Sequence, residues 1–162
     1  MSDQLSATVK SELRAALLEV FPPEPIAAEV LANPGEGWQA HESSQAFEAG
    51  VVGQAWDGLS AEFLAAHPDA LIFLGDAAFI AVVPAYLLYL VENEAYNEVP
   101  FAVGVVLTRK PDPLQQATFD SRISRLTDRQ RGVVKRIIQA LIPCAPMEDV
   151  MAEAFGSYWR DR

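Results

Sequence analysis

Residues 70–91 form a nearly continuous apolar run of 22 residues, broken only by Gly75, Asp76 and Pro84. A stretch this apolar belongs either in a bilayer or inside a core, and its length alone permits both. Three features favour the core. Asp76 would cost on the order of 3 kcal/mol in lipid, Gly75-Asp76 reads as a helix start that splits the run, and neither flank carries Lys or Arg. The pattern therefore predicts a central helix over 76–92, covered by neighbours on most sides. Pro84 lies inside it and is expected to kink it or free the carbonyl near position 80.

The rest of the chain reads as cover for that helix. Leu5, Val9, Leu13, Leu17 and Val20 recur at three- and four-residue spacing, the stripe of an amphipathic helix over 3–21 ended by Phe21-Pro22-Pro23. Pro25 can open a short helix over 26–31, stopped by Asn33-Pro34-Gly35. A helix is expected from Ser43 or Ser44 onward, weakened by Gly50 and Gly53, and another from a Ser60 N-cap to Ala66. Residues 100–107, with three valines and Gly104, fit a β-strand or a buried helical turn, and the valines lean to strand. Lys110-Pro111-Asp112-Pro113 reads as a loop. Thr127 and Gln130 form a capping box ahead of a helix whose apolar face is Val133, Val134, Ile137, Ile138 and Leu141, and a last helix is expected over 147–159. The expected fold is mainly α: one domain over 1–162, a bundle of about six helices around a central apolar helix, with at most one short strand. With 162 residues, 51% of them hydrophobic, one core suffices without staples.

Charge is distributed unevenly. The net charge is −10, and the 94 residues between Arg14 and Arg109 contain no Lys or Arg but 13 acidic residues. Residues 109–136 reverse the sign, with eight basic residues against three acidic ones. The acidic balance disfavours nucleic acid as a partner, because phosphates would be repelled. Three outcomes fit the asymmetry: the basic segment folds back and neutralises the acidic part, an acidic face survives and steers a basic partner, or a basic face binds an anion. The densest carboxylate group, 92–98, sits at the end of the central helix. Glu92 and Glu94 oppose the helix dipole there, which a nearby cation would relieve, and 109–136 is the expected source of that cation.

Catalytic patterns are missing. No nucleophile elbow, P-loop, dinucleotide fingerprint or zincin motif is present, and Gly35-Glu36-Gly37 lacks the third glycine and preceding strand of a phosphate cradle. His41 and His67 stand singly, and Cys144 is expected to pack as a small apolar residue. One cysteine and two histidines build no standard zinc site, so neither metal nor cofactor is expected. A lone cysteine, and the acidic residues Asp3, Glu12 and Glu19 where a leader would be apolar, suggest a cytoplasmic protein. Phe73, Phe79, Tyr86 and Tyr89 follow helical spacing and are expected mostly in the core, while Tyr158 and Trp159 either cover a core edge or form a docking patch.

Residues 56–141 resemble a bacterial protein family defined only as a domain of unknown function. The resemblance rests on Trp56, Leu59, Phe63-Leu64, Phe73-Leu74, Ala78-Phe79 and the run Pro84-Ala85-Tyr86-Leu87-Leu88, followed by Leu126-Thr127, Gln130-Arg131 and Val134. It implies a soluble bacterial protein and supplies no activity. Where that family has polar or aromatic residues after Ala-Phe, this chain has Ile80-Ala81-Val82, so a pocket there would be more apolar. From the charge pattern, the first expectation is a small non-enzymatic protein that binds a basic macromolecule, in the manner of an inhibitor or immunity protein, through Glu42, Glu48, Glu92, Glu94 and Glu98. The alternative is a small-molecule-binding or enzymatic domain with an apolar pocket beside Pro84, lined by Trp56, Tyr86 and Tyr89. A structural subunit kept soluble by its acidic surface is the third.

Overall fold

Several helices of this chain begin where a short polar side chain can take over an amide that has no carbonyl one turn back. Ser6 accepts from the Val9 amide at 3.2 Å, Ser60 from Phe63 at 3.1 Å, and Asp112 from Gln115 at 3.0 Å. Thr127 accepts from Gln130 at 3.1 Å while the Gln130 side chain accepts from the Thr127 amide at 2.9 Å, completing the capping box that the sequence spells out. Each such cap is worth about 1 kcal/mol.

The computed structural model describes residues 4–31, 42–93 and 96–162, the side chains of Glu42 and Ser43 excepted. Expectations for Asn33-Pro34-Gly35, Gly35-Glu36-Gly37, His41, Glu94 and the Glu42 side chain lie outside these residues. Among the described residues the fold is all-α. Its helices are α1 (Ala7–Val20), α2 (Glu42–Val51), α3 (Ala61–Ala66), α4 (Ala70–Phe73), α5 (Asp76–Glu92), α6 (Val99–Leu107), α7 (Pro113–Ser124), α8 (Asp128–Leu141) and α9 (Glu148–Ser157). Tight 3-10 turns occupy Ala28–Leu31, Trp56–Gly58 and Trp159–Asp161.

The central helix is α5, with the bounds the sequence predicts and Pro84 in its interior. Of its 17 residues 12 are buried, because α1, α6, α7, α8 and the short elements around Trp56 and Leu31 all pack on it. Burying one such Leu, Val or Phe side chain contributes about 1.5–3 kcal/mol. No helix among the described residues is long and apolar enough to cross a membrane.

Two expectations are corrected. Residues 100–107 are not a strand: α6 runs through them, with seven of its nine residues buried. An isolated strand would find no ladder among the described residues, and Pro100 fits the first helical turn, where its missing amide costs nothing. Gly104 is what lets α6 lie against α9, since a Cβ there would sit 2.9 Å from the Val150 Cβ. Helix α7 follows what reads as a plain loop, although Asp112-Pro113 is an N-cap and a proline at the first helical position.

The C-terminal segment closes the bundle. Trp159 is fully buried, its indole N–H donates to the Leu107 carbonyl at 2.9 Å, and its ring meets Tyr158 edge-on at 5.1 Å. That settles the two readings of Trp159 in favour of covering a core edge. Cys144 is buried, and its thiol donates to the Ala140 carbonyl. One connected apolar core takes residues from all nine of these helices.

Candidate functional site

Most of the cations are spent inside the molecule. Arg129 pairs with Glu19, Arg14 with Glu92, Arg109 with Asp120, Lys110 with Glu153, and Arg131 with Asp128. Arg122 and Arg125 both face Asp76, at 4.0 and 3.5 Å. Lys135 donates to the carbonyls of Arg160 and Arg162. The hydrogen bond from Arg109 pulls the Asp120 carboxyl below its ordinary value, against the opposing effect of desolvation.

The partner of Glu92 is thus Arg14 on α1, which packs on α5, not a cation from 109–136. Glu98 is exposed at the start of α6, and Glu48 is half-buried on α2. Among the described residues the basic segment folds back only in part: its arginines pair with Glu19 and Asp76 and with no other acid of the cation-free stretch.

A second group of carboxylates is left over. The Ile26 amide donates to the Gln54 carbonyl at 2.9 Å, the Gly53 amide donates to the Ile26 carbonyl at 2.8 Å, and the Trp56 indole donates to the Phe21 carbonyl at 2.8 Å. These bonds bring the Glu24 and Glu29 segment alongside Asp57, and α3 follows with Glu62 and then Asp69. The turns that carry Glu29 and Asp57, and α3 with Glu62, pack on α5. Gly53 is at φ +80, the left-handed conformation that lets the chain turn out of α2 into this pairing. All five carboxylates are exposed, and none makes an ion pair among the described residues. Beside them Val52 keeps 41% of its surface in water.

The three aromatic residues expected to line a pocket are occupied otherwise. Trp56 and Tyr86 are buried, and Tyr86 donates its hydroxyl hydrogen to the His67 carbonyl at 2.5 Å. Burial holds the Tyr86 hydroxyl well above its usual pKa, and the Asp69 carboxylate pushes the same way, so it stays protonated. Tyr89 accepts from the Asn97 side chain at 2.7 Å. His67 packs at a tilt against Phe63, ring centres 4.7 Å apart, and meets Phe47 edge-on at 5.7 Å, and burial lowers its pKa, favouring the neutral ring. Among the described residues no three His, Cys, Asp or Glu side chains are placed to hold a metal ion.

No family model matches the chain, and neither a curated protein nor a solved structure does. Of the acidic residues singled out from the sequence, Glu92 is paired with Arg14 and Glu98 is exposed, while Glu24, Glu29, Asp57, Glu62 and Asp69 were not singled out. The absence of cations from 15–108 was the available signal. Which of those carboxylates stay unpaired follows only from where Arg14, Arg122, Arg125 and Arg129 fold.

Proposed function

We propose that this chain is a non-enzymatic binding module of the bacterial cytoplasm whose acidic face, formed by Glu24, Glu29, Asp57, Glu62 and Asp69, docks a basic macromolecule. An inhibitor or immunity-like role suits that charge. The observation that carries the reading is the division of charge: Arg14, Arg122, Arg125 and Arg129 are engaged in internal pairs, whereas these five carboxylates are exposed and make no ion pair among the described residues. A surface field of one sign accelerates encounter with an opposite partner, and exposed Val52 supplies apolar contact. The pocket reading beside Pro84 is disfavoured by the intramolecular bonds of Trp56, Tyr86 and Tyr89.

The test compares two variants of equal charge. One carries Glu24→Gln, Glu29→Gln, Asp57→Asn and Glu62→Gln. The control carries Glu12→Gln, Glu148→Gln, Asp149→Asn and Asp161→Asn, all exposed positions elsewhere. A basic protein captured by the wild type should be held by the control and lost from the face variant by about tenfold or more, with capture falling as salt rises. Equal capture by the two variants, or an acidic captured partner, contradicts the proposal.

A further inference from the structure

A separate groove opens between α4, α6 and α7, with a cavity volume of about 330 Å³. Ile72, Val105, Phe119 and Leu114 supply its apolar wall, and its cations are Arg122 and Lys110, the latter shared with the exposed Glu153 at 3.1 Å. The volume is within the range of small-molecule sites. The apolar surface continues outward, since Leu114 keeps 80% of its surface exposed and Phe101, one helical turn before Val105, keeps 66%.

Arg122 is the unusual member. Its side chain retains only 7% exposure, yet its Nε, buried and facing Asp76, has no hydrogen-bond partner among the described residues. One guanidinium nitrogen, Nη2, donates to the carbonyls of Ile72 and Leu74 at 3.1 and 2.6 Å, and the group lies 4.8 Å from the centre of the Phe79 ring. Its nearest carboxylate, Asp76, is 4.0 Å away and is shared with Arg125 and with the Ser121 hydroxyl. A buried cation whose nearest carboxylate is distant and shared is short of negative charge. The loss of hydration works in the same direction, lowering the Arg122 pKa. Two threonines of the wall offer little help, because Thr108 and Thr118 donate to the carbonyls of Gly104 and Leu114.

We propose that this groove binds a small monocarboxylate with an aliphatic tail, its carboxylate drawn to Arg122 and Lys110 and its tail laid along Ile72, Val105, Phe119 and Leu114. The charge complements the guanidinium, the tail complements the wall, and neither half of the ligand alone satisfies both. The proposal concerns a different surface from the acidic face and stands or falls separately.

Octanoate, octanol and octylamine are the probes, titrated calorimetrically into the wild-type protein. Octanoate should bind one per chain with a dissociation constant below about 1 mM, and octanol about tenfold or more weaker, since the charge-assisted bond is lost. Octylamine should not bind. Arg122→Gln should abolish octanoate binding, and because that variant also loses structural bonds, Leu114→Glu provides the second arm. Position 114 is on the exposed rim, where a carboxylate leaves the fold intact and should weaken octanoate about tenfold. The proposal is overturned if octanol or octylamine binds as tightly as octanoate, if Leu114→Glu leaves octanoate affinity unchanged, or if octanoate shows no saturable binding.

Discussion

Trp159→Ala is expected to lower the unfolding free energy by about 4 kcal/mol, read as a fall in the urea midpoint at unchanged slope. The largest of the fully buried side chains would be removed, and with it the N–H that satisfies the Leu107 carbonyl at the end of α6. The site offers little to refill the space, because the residue wedges between α6 and α9, which already approach as closely as Gly104 allows. Against a total stability of about 5–15 kcal/mol, such a loss populates unfolded chain at modest temperature. Trp159→Phe separates the two contributions: it keeps most of the bulk and gives up the hydrogen bond, so a loss of about 1–2 kcal/mol is expected. A cost below about 1 kcal/mol for Trp159→Ala would mean that the C-terminal segment is not part of the cooperative core.

Arg122→Met carries the second largest effect, a loss of about 3 kcal/mol. The guanidinium spans from α7 to the end of α4, where the carbonyls of Ile72 and Leu74 depend on it. Methionine fills a comparable volume beside Phe79 and leaves both carbonyls without a donor. The figure is kept below that for a fully buried ion pair because Asp76 retains Arg125 and part of its exposure. Arg122→Lys restores the charge but lacks the planar fork, so only partial rescue is expected. Chemical denaturation of the three proteins checks this order. If Arg122→Met were as stable as the wild type, the α4 to α7 bridge would be energetically idle.

How far the sequence carries depends on how local each feature is. Helix α5 is legible because Gly75-Asp76 marks its start and its apolar run outlasts any strand, and α8 because its capping box and apolar face agree. Helix α6 is not, because a segment buried on every side has lost the periodicity that separates helix from strand. Helix α7 has a weak apolar face, and its only announcement is the Asp112-Pro113 pair. The ion pairs were beyond reach for another reason. Arg14 and Glu92 are 78 residues apart and Arg129 and Glu19 are 110 apart, so only the folded chain decides which acids are neutralised. Arg122 was hidden in the same way: in the sequence it is one of eight cations in 109–136, and its burial comes from packing α7 on α5.

The division of charge underlies the functional reading, and it is measured most directly by NMR with a pair of nitroxide cosolutes, one cationic and one anionic, compared amide by amide. Amides near Glu24, Glu29, Asp57, Glu62 and Asp69 should relax several-fold faster with the cationic cosolute than with the anionic one, and the bias should shrink in high salt. Amides near Asp120 and Asp128, whose carboxylates are paired, should show a much smaller difference. Equal relaxation by the two cosolutes across residues 24–69 would mean that the acidic face is neutralised within the molecule, and would contradict the account.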